Sequence, residues 1–223
     1  LEKFKNVQSI SDFQHQCISS TIRQILKQSS EGLSTSGFEN LDKNTAYLFV
    51  SNHRDIVLDT SLLNLVLLDK GLIMTASAIG DNLIQRNFLH VLAKLNRNFL
   101  VQRGLSIREQ LSRSKIMSEY INDLLHKENR SVWIAQREGR TKDGNDATQQ
   151  GVLKMLAMAA ENQSLPDFFK NLKIVPLSIS YEYDPTDALK MPQLLAKSKN
   201  EVYVKSQDED FTAILSGILG QKK

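Results

Sequence analysis

The sequence predicts an α/β fold, a largely parallel central sheet flanked by helices, with an amphipathic helix at its N-terminal end. Three observations carry this expectation. Short apolar, β-rich runs recur along most of the 223 residues. Helical patterns of about ten residues or more separate them, the rhythm of strand–helix–strand units. The runs are apolar without strict alternation, as expected of strands covered on both faces.

Taken in chain order, the segment Ile10–Lys27 sets Ile10, Cys17, Ile18, Ile22 and Ile25 on one helical stripe. Ser29–Ser36 (SSEGLSTS) reads as a linker. The first 36 residues are therefore expected to be an N-terminal helix and linker, and residues 37–223 the α/β domain. Expected strands are Ala46–Ser51, Leu72–Ala76, Asn98–Val101, Ser131–Ala135, Lys173–Ser180 and Val202–Lys205. A helix begins near Ser106, where Ser106 and Glu109 have the spacing of a capping box, and runs to Lys127. Asp208–Gly220 carries a second stripe of Phe211, Ile214, Leu215, Ile218 and Leu219. Both terminal stripes are expected to dock on the sheet, with contact to a membrane surface as the other reading. No internal repeat or low-complexity tract is visible.

Composition narrows the class. Hydrophobic residues make up 41% and charged residues 24%, enough for an ordinary core and unlike a disordered chain. The longest mostly apolar run, Ile56 to Leu68, contains Asp59 and is too short to span a bilayer. No signal peptide opens the sequence, so a soluble or peripheral protein is expected. The one cysteine, Cys17, excludes an internal disulfide and a cysteine-built metal site, and fits a cytosolic setting. A net charge of +3 tolerates anionic lipid or phosphate but is too mild to argue for nucleic acid. The chain starts at Leu1 and stops at Lys222-Lys223, so one or both natural ends are expected to lie beyond it.

In an open α/β sheet, ligands sit at the carboxyl ends of the strands. Three segments fall there. SNHRDIVLD, Ser51 to Asp59, places His53 in a strand-to-helix turn with Asp55 and Asp59 downstream. A histidine so placed can offer one ring nitrogen to substrate while a carboxylate holds the other, making a hydroxyl a usable nucleophile. The structural counterpart is a polar helix cap in which His53 serves only the backbone. NFLVQRG, Asn98 to Gly104, delivers Arg103 at a strand end, where an always-charged fork of donors suits a phosphate. WIAQREGRTKDG, Trp133 to Gly144, gathers Arg137, Glu138, Arg140 and Lys142 around Gly139. Three cations beside one glutamate favour an anionic ligand, and a solvated turn is the counterpart.

In this order the segments resemble the glycerol-3-phosphate and lysophosphatidate acyltransferase family. Its N-H-x(4)-D block resembles Asn52-His53 with Asp59, and its apolar block ending in arginine resembles Phe99 to Arg103. Its F-P-E-G-T-R-S-like block resembles Arg137-Glu138-Gly139-Arg140-Thr141, and its proline-containing strand resembles Val175-Pro176-Leu177. The blocks span roughly residues 46 to 180. There are departures. The aspartate falls six positions after the histidine rather than five, where Leu58 stands. Either the turn holds one extra residue and Asp59 keeps the role, or Asp55 takes it, or the site is inactive. Arg97 and Asn98 replace the glycine opening the second block. Arg137 replaces the proline of the third, and Thr141 its arginine, with Arg140 one step early.

The resemblance implies direct acyl transfer from acyl-CoA or acyl carrier protein to a glycerophosphate-type hydroxyl, lysophosphatidate or glycerol-3-phosphate, in phospholipid synthesis. His53 would be the general base and Asp59 its partner. Arg103, Glu138, Gly139 and Arg140 would form the phosphate site, with Asn52, Asp55, Arg137 and Lys142 in support. No metal, cofactor or covalent acyl-enzyme is implied. Because long-chain products partition into bilayers, peripheral attachment to the inner, cytoplasmic face of the membrane follows. The rival expectations are an acyl thioesterase, a non-catalytic lipid- or phosphate-binding module, and a transferase for another acceptor.

Overall fold

In a computed structural model, residues 6–84, 86–204, 206 and 209–219 are described, the last five (215–219) without their side chains. The described residues form one five-stranded sheet in the order β3-β2-β4-β1-β5, every pair parallel. The strands are β1 (Leu48–Ser51), β2 (Thr75–Gly80), β3 (Asn98–Val101), β4 (Ser131–Ala135) and β5 (Ile174–Leu177). The α/β expectation holds. Register pairs Leu48 with Val132 on one side and Ile174 on the other, so the carboxyl ends of β1, β4 and β5 lie level. Pro176 sits in β5, an edge strand, where a missing N–H leaves no ladder bond unmade.

The helices are α1 (Ile10–Asp12), α2 (Ser19–Ser29), α3 (Leu58–Lys70), α4 (Asn87–Leu95), α5 (Ile107–His126), α6 (Gln150–Ala157), α7 (Leu165–Asn171), α8 (Asp187–Ser198) and α9 (Glu209–Leu219). A π-helical stretch, Phe13–Ile18, joins the first two. None of the described helices is long and apolar enough to cross a membrane. Right-handed crossovers put α3 and α4 on one face of the sheet and α5 to α7 on the other. The cores agree with that division. Leu63 and Leu67 of α3 pack with Phe49 and Trp133 on one face. Ile121, Leu124 and Leu125 of α5 join Leu48, Val132, Leu156 and Phe168 on the other.

The apolar run that opens α3 is explained by burial on two sides. One side meets the sheet; the other, Leu58, Leu62 and Leu65, receives Ile22 with Ile18, Ile25 and Leu26 of the N-terminal helix. The N-terminal stripe thus docks on α3 rather than on the sheet. Each such leucine contributes about 1.5–3 kcal/mol when fully buried.

The expected strand Lys173–Ser180 pairs only over Ile174–Leu177, and two other strand expectations change. The second strand is Thr75–Gly80, because Leu72 and Met74 are spent in the core and pairing starts only at Thr75 with Ser131. Its first N–H donates to Asn64 Oδ1 of α3. Val202–Val204 form no strand: both valines are exposed, and the sheet ends at β5. Lys205 lies outside the described residues, as do Asp208, Gly220 and the side chains of Leu215, Ile218 and Leu219 in the C-terminal stripe. Ile214 of that stripe is buried.

Candidate active site

The turn after β1 is held from both sides before it delivers a reactive group. Ser51 Oγ accepts from Trp133 Nε1 at 2.8 Å and donates to the Asn52 carbonyl at 2.6 Å. Asn52 ties the turn to the segment after β5: its amide donates to the Ile179 carbonyl at 2.7 Å and accepts from the Ile179 N–H at 2.8 Å. The Thr141 N–H donates to the His53 carbonyl at 2.9 Å.

His53 Nδ1 lies 2.8 Å from Asp59 Oδ2. The same oxygen accepts from the Arg54 and Asp55 N–H groups at 2.7 and 3.1 Å, and Oδ1 accepts from Tyr181 Oη at 2.8 Å. Four donors therefore converge on a carboxylate that is 1% exposed in the first turn of α3. Asp55 is used differently: its Oδ1 accepts from the Val57 and Leu58 N–H groups at 2.9 and 2.8 Å, capping α3. The turn between β1 and α3 thus accommodates the additional residue ahead of the helix, and Asp59 still reaches the imidazole. Since Nδ1 donates to Asp59, Nε2 is the nitrogen left as an acceptor toward the cavity. The Trp133 ring packs edge-on to the His53 ring, centroids 5.4 Å apart and planes at 73°. Burial, and next the Asp59 charge, push the Tyr181 phenol well above its ordinary range, so it stays a donor.

His53 forms part of the wall of a cavity of about 680 Å³. Ile79, Phe99, Leu100, Met117, Val152 and Met155 give it an apolar side; Arg103, Arg113, Arg137 and Glu138 give it charge. Arg103 leaves the end of β3 with its guanidinium against Gly80, where an added Cβ would come within 3.1 Å of Nε. Arg137 Nη1 donates to the Asn145 carbonyl at 2.7 Å, and its buried Nε has no hydrogen-bond partner among the described residues. Gly139, also in the wall, has φ of 72°. The Glu138 N–H donates to Gln149 Oε1 at 2.9 Å.

The other members of the basic cluster point elsewhere. Arg140 lies 3.8 Å from Asp210 of α9, and Lys142 donates to Gln193 of α8. Thr141, standing where an arginine was expected, is buried and donates to Asp146, which also pairs with Arg54 at 2.9 Å. Lys190 of α8 is buried and donates to the Arg54 carbonyl at 2.9 Å. The structure thus brings His53, Arg103, Arg137, Glu138 and Gly139 to one cavity, with Asp59 behind His53. Asn52, Asp55, Arg140 and Lys142 serve the scaffold around it. Sequence reasoning passed over Tyr181, Trp133 and Arg113. Only Trp133, the one tryptophan of the chain, inside a strand that ends at the site, carried a signal. Among the described residues no group of three or more His, Cys, Asp or Glu could hold a metal ion.

This geometry can take a proton from a hydroxyl at Nε2, keep the imidazolium paired with Asp59, and seat an apolar chain beside an anion. Comparison with known proteins points the same way. A search of curated proteins finds no match, but the family model described as Acyltransferase matches residues 33–180, which hold β1 to β5 and every residue of the His53 turn and cavity named above except Tyr181. That span is more than half of the 223 residues, and on it the chain belongs to the acyltransferase family, with acyl transfer as its activity.

Proposed function

We propose that the chain moves a fatty acyl group from acyl-CoA or acyl carrier protein to the hydroxyl of a glycerophosphate-type acceptor, lysophosphatidate foremost, in phospholipid synthesis. The observation that carries this reading is one cavity lined by three things: His53, backed by Asp59, an apolar wall, and the side chains of Arg103, Arg113 and Arg137. An acceptor with both a phosphate and a lipid chain matches that mixture.

In the step proposed, the acceptor hydroxyl gives its proton to His53 Nε2 as its oxygen attacks the thioester carbonyl. Asp59 keeps the ring in the Nδ1–H tautomer and stabilises the imidazolium, and backbone N–H groups steady the oxyanion. The tetrahedral intermediate collapses, the C–S bond breaks, and the imidazolium returns its proton to the departing thiolate. The ester stays with the acceptor and His53 is regenerated. Arg103 is assigned the acceptor phosphate, with Arg137, Glu138 and Gly139 around it. Arg140, at Asp210, is assigned to hold α9 to the loop. Peripheral attachment at the inner face of the membrane completes the proposal.

The experiment is thiol release from palmitoyl-CoA with lysophosphatidate, with glycerol-3-phosphate, and with neither, beside His53→Ala. Release that needs both acceptor and His53 supports the reading and selects the acceptor. Release without acceptor makes the enzyme a thioesterase. No release from either CoA or carrier-protein donor leaves a binding module.

A further inference from the structure

Positions 107, 111, 114, 118, 121 and 125 fall on one stripe of α5. Its lower half is buried: Ile121 and Leu125 in the core under the sheet, and Ser118 against α6, where its hydroxyl donates to the Leu156 carbonyl. Its upper half leaves the body of the protein: Ile107 is 88% and Leu111 63% exposed. Every residue from Ser106 to Arg113 is exposed, although Gln110 and Arg113 border the cavity. An apolar stripe carried past its own core needs another apolar medium to cover it.

Two further observations identify that medium. Residues 100–116 carry Arg103, Arg108, Arg113 and Lys115 against one carboxylate, Glu109, which is engaged in the Ser106 capping box. Lys115 lies 3.7 Å from Glu119; the three arginines are exposed. Leu100, Ile116 and Tyr120 are further exposed apolar side chains on β3 and α5, and these line the cavity of His53, so exposed apolar groups border the site on the same helix. Among the described residues, the terminal helices show no such exposed stripe. The α2 stripe is covered by α3, and Ala213 and Ile214 of α9 are buried.

We propose that the first half of α5, with Leu100 of β3, is the surface by which the enzyme docks on an anionic lipid bilayer. Ile107 and Leu111 enter the acyl region, and Arg108 meets headgroup phosphates, with Arg103 and Arg113 adding positive charge between that surface and the site. The cavity mouth then faces the membrane, and a lipid acceptor reaches His53 without crossing water. For the lipid nature of the acceptor, the proposal rests on the function proposed above; for the docking itself, it does not.

The test is flotation of the full chain with vesicles of phosphatidylglycerol and phosphatidylcholine, and with phosphatidylcholine alone, at low salt. Wild type floats with the anionic vesicles. The double variant Ile107→Ser/Leu111→Ser loses binding by about tenfold or more, since both apolar anchors are gone. Arg108→Glu weakens binding to anionic vesicles only. Both variants keep thiol release from a short-chain, water-soluble acyl-CoA with glycerol-3-phosphate within about twofold, as expected of surface changes outside the site. Ile107→Trp adds a blue-shifted emission when anionic vesicles are present, a readout that needs no loss of fold. Undiminished flotation of the double variant, or no shift at residue 107, overturns the proposal. So does a wild-type dimer in light scattering that the double variant splits, because a second copy would then be what covers the stripe. Absence of thiol release by wild type would instead undo the acceptor assignment and leave the flotation result standing.

Discussion

Tyr181 donates its hydroxyl to Asp59 Oδ1 at 2.8 Å, joining residues 122 positions apart at the oxygen that His53 does not use. The carboxylate is thereby fixed from both sides: Oδ2 by His53 and two N–H groups of the turn, Oδ1 by the tyrosine. A carboxylate so restrained cannot swing away from the imidazole.

Tyr181→Phe keeps the ring and removes the donor, leaving Oδ1 buried without a partner at a cost of about 1–3 kcal/mol. Acyl transfer is expected to fall by about tenfold, well short of the 10²–10⁴ that a general base supplies. The same variant has a pH signature. The phenol is raised in the folded state, so its contribution to stability is full below the unfolded tyrosine range near pH 10 and is lost as pH rises from there toward the folded value. Wild type should therefore lose up to about 1.4 kcal/mol more stability per pH unit above pH 10 than Tyr181→Phe does. Equal slopes in thermal melts from pH 9 to 11 would remove Tyr181 from this role.

Asp59 and Asp55 should separate cleanly. Asp59→Asn preserves shape but offers an amide to the imidazole, and activity is expected to fall on the order of 10³ or more. Asp55→Ala removes the α3 cap and should cost about 0.5–2 kcal/mol of stability while leaving most activity in the folded fraction. His53→Ala should lose about 10²–10⁴ in rate with its melting temperature near that of wild type. Rates and melts measured side by side decide this; a larger activity loss from Asp55→Ala than from Asp59→Asn reverses the assignment.

What the sequence could and could not reveal follows from distance along the chain. The His53 turn was legible because the histidine, the cap and the partner all fall within seven consecutive residues, His53 to Asp59. The extra residue was the obstacle, because it is the folded turn that gives Asp55 to the cap and frees Asp59. Strands β1 and β4 were legible from short buried apolar runs, and β3 from the apolar Phe99 to Val101, although none of its residues is buried. Thr75–Gly80 was misplaced because Leu72–Met74 is equally apolar but packs as core ahead of the ladder. Tyr181 carried no local signal, since its partner is in another segment. The fates of Arg140 and Lys142 depend on α9 and α8, which no spacing within the basic cluster discloses.

Arg103→Ala should raise the KM for the phosphate-bearing acceptor by about tenfold or more, from the ~1.5–3 kcal/mol of a charge-assisted contact. The KM for the thioester donor should change little. Steady-state kinetics with each substrate varied in turn make the comparison, and an unchanged acceptor KM takes Arg103 out of the phosphate site.

Gly80 and Gly139 both flank the site, and each excludes a side chain for a different reason. At Gly139 no described residue beyond its chain neighbours lies within 4 Å of an added Cβ, but φ is 72°. The constraint there is backbone conformation, which asparagine tolerates better than alanine and valine least of all. At Gly80 φ is −66°, ordinary for any residue, yet a Cβ would meet Asn82 Oδ1 at 2.5 Å and Arg103 Nε at 3.1 Å. The constraint there is space. Stability at position 139 should therefore rank Gly, Asn, Ala, Val, with Ala costing about 1–2 kcal/mol. Gly80→Ala should instead move the Arg103 fork and raise the acceptor KM, as a milder form of Arg103→Ala. If Gly80→Ala leaves that KM alone while Gly139→Asn and Gly139→Ala melt together, neither reason holds.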